Sequence, residues 1–341
     1  MSIQQLFCRF HKKIKVETDE LREKRDIILD KIKESLKKAG HPLPDLINQG
    51  SYIYGVGVKP VGNVEYDIDV GLDFPIKSFD YDAKTVRTWV FDAVDEHTNR
   101  VENKGPCIRI RYAAGYHVDL VVYARYKENN QNEEFQIAYK DDSWRPTAPK
   151  KLKEFIATAR TRFAKTKDSS GSDQLQRVTR YLKRWNDNNT PDDSPDKPIG
   201  LATLLLVIEQ LKNPVVDTDG MPNDLEALRV VAEIAKYTFG RVVIKKPTPE
   251  FEDVFGKLSD EAMIRFKKRL VSLLSDLESA KDKNDDDADK ILCGQFGDDF
   301  SSSQEKNLER MQEDVRVKQD IADMEAAIPS YIKPSRPWCH V

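Results

Sequence analysis

From Tyr66 to Phe74 apolar and polar residues alternate, with Tyr66, Ile68, Val70 and Leu72 on one side and Asp67, Asp69 and Asp73 on the other. A period of two is that of a β-strand, in which side chains at i and i+2 share a face roughly 7 Å apart. Two further runs, Cys107–Tyr112 and His117–Tyr123, flank Ala113-Ala114-Gly115 and predict a hairpin, hence antiparallel pairing. Glu134–Tyr139 is predicted as the last strand of the sheet. Helical spacing appears first at Thr18–Ala39, where Leu21, Ile28, Ile32 and Leu36 form a stripe, Thr18 offers a cap and Gly40 with Pro42 ends the run. A second amphipathic helix is predicted over Asp82–Thr98 on Val86, Val90 and Val94. Beyond Ala148 the helical period takes over, at Lys150–Lys165, Gln174–Asn186, Ile199–Leu211, Pro222–Phe239 and Ser259–Ala280. Ile199–Leu211 is apolar nearly all round and is expected at the centre of a helical core. Two prolines make Arg241–Pro249 an extended crossing, Asp285-Asp286-Asp287 reads as a loop, and Ser301–Ala327 as a highly charged helix.

These patterns predict an α+β protein of two lobes. Residues 1–145 form a lobe with a mixed, mostly antiparallel sheet and an N-terminal helix, residues 146–327 a helical lobe, and 328–341 a flexible tail. The 341 residues suffice for a substantial core, and with 39% hydrophobic and 33% charged residues the chain reads as soluble. A net charge of −3 offers no global attraction to nucleic acid. Cys8, Cys107, Cys293 and Cys339 lack C-x-x-C spacing, which argues against a zinc site or disulfide framework. No run is long and apolar enough to cross a membrane, and a cytoplasmic location is expected.

The candidate chemistry begins at the acidic face of the first strand. Asp67 and Asp69 repel one another there and need a compensating cation; oxygen-only ligands favour Mg²⁺ or Mn²⁺. Upstream, Gly50-Ser51 offers free backbone N–H groups, a small hydroxyl and no obstructing side chain, as a triphosphate requires. Asp119 is a lone acid inside an apolar run, and its burial is tolerable if its strand lies beside the Asp67/Asp69 strand and completes the cluster. Two metals held by three carboxylates can activate a hydroxyl and stabilise leaving pyrophosphate, the chemistry of nucleotidyl transfer. Arg109 and Arg111 share a strand face and can neutralise phosphates or pair with the carboxylates. Asp73 is expected at a solvated strand end, and His117 to face away from the acid as a structural residue. Lys183, near Arg177, Arg180 and Arg184, is solvated charge on a bare helix, but beside a cleft it can reach a triphosphate.

With those residues in view, the chain resembles the bacterial CD-NTases, relatives of cyclic GMP-AMP synthase and oligoadenylate synthetase among the polymerase-β-like nucleotidyltransferases. The resemblance rests on Gly50-Ser51-Tyr52, Val58-Lys59-Pro60, Tyr66-Asp67-Ile68-Asp69-Val70-Gly71, Gly105-Pro106-Cys107, His117-Val118-Asp119-Leu120, Leu182-Lys183-Arg184-Trp185 and Phe296-Gly297-Asp298-Asp299-Phe300. Family members commonly carry Gly-Thr where this chain has Gly55-Val56, so one hydroxyl is missing beside the turn. The resemblance implies that Asp67, Asp69 and Asp119 are catalytic metal ligands for Mg²⁺ or Mn²⁺, that Gly50, Ser51 and Lys183 bind the nucleotide, and that the Thr18–Ala39 helix braces both lobes. It implies synthesis of a cyclic di- or trinucleotide from NTPs, ATP favoured, in CBASS anti-phage defence. It further implies a HORMA-type or ubiquitin-transfer-like regulatory partner and an effector that reads the product, with no nucleic acid or membrane required. The alternatives within this reading are a transferase acting on RNA or protein, and a non-catalytic scaffold of the same fold.

Overall fold

The structure, a computed structural model, describes residues 2–16, 19–62, 66–126, 133–191 and 194–301, with 316 and 319 beyond. The chain divides into a unit of residues 1–300 and a second of 301–341. The charged helix expected over 301–327 and the tail at 328–341 thus fall, but for residues 301, 316 and 319, outside the described residues. None of the described helices is long and apolar enough to cross a membrane.

The first unit opens with α1 (Ile3–Ile14), started by a capping box in which the Ser2 hydroxyl accepts from Gln5 N and the Gln5 side chain accepts from Ser2 N. Its apolar stripe, Leu6, Phe7, Phe10 and Ile14, is buried in the helical core, where Phe7 and Phe10 pack against Tyr181, Phe296 and Phe300. Helix α2 (Asp19–Lys38) buries Ile28, Leu29, Ile32 and Leu36 in a different core, under the sheet. The helix expected over Thr18–Ala39 is α2, but its buried stripe packs with the sheet alone, while the preceding α1 enters the helical core. The Thr18 cap and the Leu21 side chain lie outside the described residues.

The strands are β1 (Asp45–Asn48), β2 (Tyr66–Phe74), β3 (Val101–Asn103), β4 (Ile108–Tyr112), β5 (Tyr116–Tyr126), β6 (Glu134–Ala138) and β7 (Trp144–Thr147). They form one sheet in the order β1-β2-β5-β4-β3, with β6 added to β5 and β7 to β6. The predicted hairpin is β4–β5. Its second strand pairs with β2 in parallel, and every other pairing is antiparallel, so the sheet is mixed. Two strands that run the same way need a long crossover, and here α4 (Ala83–Val94), β3 and β4 supply it. Val86, Val90 and Val94 of α4 join Ile28, Ile32 and Leu36 of α2 over the face carrying Ile68, Val70, Leu72, Val118 and Leu120. This face of the sheet is dry, and the acids are on the other.

After β7, a strand beyond the expected end of the sheet, come α5 (Pro149–Thr161), α6 (Gln174–Asn189) and α7 (Gly200–Gln210). They are followed by α8 (Asp224–Ala232), α9 (Ile234–Tyr237), α10 (Asp260–Lys281) and α11 (Asp285–Phe296). As its all-round apolarity requires, α7 is buried from Ala202 to Ile208. Asp285-Asp286-Asp287, expected as a loop, is instead the first turn of α11: Asn284 caps it, and acids are favoured at a helix N-terminus. Arg241–Pro249 is irregular, held by a lone bridge from Lys245 to Asp253.

Candidate active site

Parallel pairing of β2 with β5 puts Asp69 opposite Asp119 and Asp67 opposite His117. All four side chains project from the face opposite the dry one, since β2 places its odd-numbered residues there and β5 does the same. His117 stands two residues before Asp119, so strand geometry brings it to the acid's side rather than away from it. Its Nε2 lies 3.2 Å from Asp67 Oδ1, and one ligand atom each from Asp67, His117 and Asp119 fall within 4.8 Å of one another. The expectation that His117 faces away is thus corrected. Asp73 is corrected as well: it is buried at 2% exposure, with Oδ2 2.8 Å from Arg125 Nε, rather than a solvated strand end.

Crowding of acids sets the electrostatics. Burial first, then the charges of Asp67 and Asp119, hold the Asp69 carboxyl well above the usual range, while Arg109 and Lys183 pull the other way. Asp119 is buried, and Arg109, its cross-strand partner, grips both oxygens, Nε to Oδ1 at 2.8 Å and Nη2 to Oδ2 at 2.7 Å. This fork-to-fork pair takes the carboxylate reading of Arg109; Arg111 instead donates to Glu102 at 2.8 Å, away from the acids. Burial, with the Asp119 charge, also raises the thiol of Cys107 above its ordinary value.

Gly50-Ser51 folds as the start of a short helix, α3 (Gly50–Tyr54), closed by Gly55 in the left-handed region at φ 63°. Gly50 itself has φ +74°, and a Cβ built there would stand 1.9 Å from Asp69 Oδ2. Only glycine lets the turn come this close to the carboxylate. The far side of the turn is held by α6, which begins with a capping box at Asp173 and Gln176. Gln176 Nε2 donates to the carbonyls of Tyr54 (3.1 Å) and Gly55 (3.2 Å), Lys183 Nζ to Val56 O (3.1 Å) and Arg184 to Lys59 O (2.9 Å). Arg180 donates to Gly57 O at 3.1 Å and to Gly55 O. Arg180 also hydrogen-bonds His11 Nε2 at 2.6 Å, and His11 Nδ1 lies 3.1 Å from Asp168 Oδ2. Val56 brings no hydroxyl to the turn, and its carbonyl accepts from Lys183.

A cavity of about 480 Å³ opens between the acids and the helices. Gly50, Ser51, Asp67, Asp69, Lys183 and Asp187 line one set of its walls. The uncapped first turn of α7 at Gly200 and Leu201 stands beside Lys183, whose Nζ would be 3.5 Å from a Cβ at Gly200. Burial lowers the Lys183 pKa from its ordinary value, and the charges of Asp187, Asp67 and Asp69 oppose that. The apolar walls include Tyr54, Tyr123, Leu152 and Leu204; Tyr54 is pushed up to about 12 by burial and by Asp69. Asp119 is not on this wall. Of the six predicted site residues, five line one cavity, and the sixth, Asp119, is buried beside Asp67 and paired with Arg109. The sequence reading missed Tyr54, Tyr123, Asp187 and Lys246, all cavity residues. Tyr54 alone carried a signal, four residues after Gly50 on one helical turn.

Acids on adjacent strands, a glycine turn pressed on one of them and a cavity with a lysine on its wall make up the candidate site. Residues 44–123 match the nucleotidyltransferase domain of the family described as cyclic GMP-AMP synthase DncV-like. A cyclic GMP-AMP synthase of Escherichia albertii is 26% identical over 205 residues, 58% of this chain and 44% of that protein. A c-di-GMP synthase of Roseivirga ehrenbergii is 35% identical over 80 residues, 23% of this chain and 21% of that one. The chain thus spans less than half the length of the curated relatives it matches. In fold it is similar to the cyclic AMP-GMP synthase DncV of Vibrio cholerae, with a TM-score of 0.69 over 86% of this chain and 94% of the other, at 18% identity. The CD-NTase CdnG of Bradyrhizobium diazoefficiens gives 0.66 over 89% and 97%, at 15% identity. Sequence over residues 44–123 and fold over most of the chain point the same way, to a stretch like the DncV-like nucleotidyltransferase domain within a fold similar to that of the CD-NTases.

Proposed function

We propose that this chain is a metal-dependent nucleotidyltransferase that joins nucleoside triphosphates, ATP among them, into a cyclic di- or trinucleotide for anti-phage signalling of the CBASS type. The observation that carries the reading is the convergence of Asp67, Asp69 and Asp119 on one sheet face against the Gly50-Ser51 turn. The donor set fits a divalent cation: burial and the neighbouring charges of Asp67 and Asp119 leave the Asp69 carboxylate in want of a positive charge, and Asp67, His117 and Asp119 bring ligand atoms within 4.8 Å of one another. Asp67, Asp69 and Asp119 would hold Mg²⁺ or Mn²⁺, which lowers the pKa of a bound hydroxyl and neutralises charge on the phosphates.

The chain's own groups do the positioning. Ser51 and the backbone of α3 hold the terminal phosphates, and Lys183 faces them across the cavity. The ribose hydroxyl oxygen of one nucleotide bonds to the α-phosphorus of another. The bond from that phosphorus to the α–β bridging oxygen breaks, pyrophosphate leaves, and the hydroxyl proton passes to the carboxylate cluster. A second such step closes a dinucleotide ring, and a third a trinucleotide ring. A structural relative, Vibrio cholerae DncV, has been captured with the linear intermediate 5′ pppA(3′,5′)pG, which supports stepwise synthesis here. The reading includes a cytoplasmic setting, a HORMA-type or ubiquitin-transfer-like activator and an effector for the product.

The test is incubation of the protein with the four NTPs and Mg²⁺ or Mn²⁺, followed by phosphatase treatment and mass analysis. The expected result is a phosphatase-resistant product without free ends, with pyrophosphate release abolished by Asp67→Asn with Asp69→Asn or by chelation of the metal. Turnover retained in that double variant overturns the mechanism.

A further inference from the structure

The cavity wall carries Lys183 and Ser51, which the proposed function gives to the phosphates, and a second lysine, Lys246. It comes from the irregular 241–253 segment, where its backbone is pinned by Lys246 N to Glu252 O and Thr248 N to Lys246 O, both 2.8 Å. The Lys246 side chain is 19% exposed, and its Nζ lies 3.5 Å from Glu250 Oε1. Phe251, next in the same turn, adopts φ 45°, a conformation rare for a residue with a side chain. Backbone strain of this kind persists only where its surroundings enforce it, and it gathers at ligand sites.

The cations acting on Asp69 are Arg109 and Lys183. The cavity that Lys246 lines also includes Pro149, Leu152, Tyr54 and Tyr123, flat or apolar surfaces suited to a nucleobase. We infer that Lys246 reads the base of the bound nucleotide and selects one that presents carbonyl acceptors, guanine above all, over adenine. An ammonium has three donors and no acceptor. Guanine offers O6 and N7 as adjacent acceptors on one edge, whereas adenine places an amino donor beside N7. Against guanine the lysine makes two bonds; against adenine it makes one and faces a second donor. Glu250 holds the ammonium at the wall and limits its reach to that edge.

The inference rests on the nucleotide-binding reading of the cavity and names the base that accompanies ATP in the product. Its test is calorimetric titration of the full chain with the α,β-methylene analogues of GTP and ATP, which bind without reacting. The wild type should prefer the guanine analogue by on the order of tenfold, the discrimination of one good pair. Lys246→Met should bring the two affinities within about twofold by weakening the guanine analogue alone, and Lys246→Arg should keep the preference. No wild-type preference, binding of neither analogue, or an equal loss for both in Lys246→Met overturns the assignment; the last would make Lys246 a phosphate contact. Pyrophosphate release measured in parallel separates the two readings. Selective binding without turnover sinks the proposed reaction and leaves Lys246 its role. Turnover with selectivity untouched by Lys246→Met sinks the role alone.

Discussion

Replacing Gly50 by alanine probes the site at its tightest contact. The added Cβ would lie 1.9 Å from Asp69 Oδ2 and 2.7 Å from its Cγ, where ordinary contact begins at 3.4 Å. The carboxylate or the turn must therefore yield by about 1.5 Å, and displacement of a reacting group by 1 Å costs roughly 100-fold in rate. The left-handed backbone adds about 1 kcal/mol of instability for any residue with a Cβ, or a drop in Tm of roughly 2 °C for a unit of this size. Gly40→Ala separates the two effects, because Gly40 has φ +71° and nothing within 4 Å of its ideal Cβ. Pyrophosphate release and thermal melting would be measured on both. Gly50→Ala should lose at least 100-fold in turnover, while Gly40→Ala should lose a similar Tm increment and keep its activity. Turnover of Gly50→Ala within twofold of wild type refutes the reasoning, and so does an equal loss in Gly40→Ala.

Two further outcomes follow from buried charge. Burial, and then Arg180, lower the His11 pKa to about 3 from an ordinary 6.5, so the folded state keeps the ring neutral while the unfolded chain protonates it. The unfolded state then binds more protons between those values, so stability is full above pH 6.5 and falls on acidification, by roughly 2 kcal/mol at pH 5. Denaturant unfolding at pH 7.5 and 5 should show this slope in the wild type and lose it in His11→Gln; the same slope in both removes His11 as its source. Arg177 and Asp224, 1% and 0% exposed, are joined by bonds of 2.7 and 2.9 Å, and Tyr181 adds a third to the carboxylate. Arg177→Ala should cost about 3–5 kcal/mol by stranding the acid, and Arg177→Met with Asp224→Leu should regain most of it. Chemical denaturation checks both, and a double variant no better than the single contradicts the account.

The acids could be found in the sequence because a strand's period of two is strict: once Tyr66 to Leu72 alternate, Asp67 and Asp69 must share a face. The hairpin turn at Ala113–Gly115 was equally local. Which strand lies beside β2 is not local, and neither is its direction; Asp119 reaches the site only because a crossover returns β5 parallel to β2. Asp73 looked solvated because its partner, Arg125, lies on that other strand. Lys246 was invisible for a stronger reason, since the irregular segment that carries it has no period to read. His117 had a period, and counting two positions from Asp119 places it correctly.

The hydrogen bonds of α6 bear on what can be separated from what. The stretch that matches the family, residues 44–123, contains the acids and the turn but not the side chains that donate to the carbonyls of Tyr54, Gly55, Val56 and Gly57. Those come from Gln176, Arg180 and Lys183, and Arg180 in turn leans on His11 in the first helix. Excised alone, the recognisable segment would keep every acidic residue and lose the frame that shapes their neighbour. What is contiguous in sequence is therefore not a portable module. Domain exchange between relatives should be cut so that the turn and its helix travel together with α1.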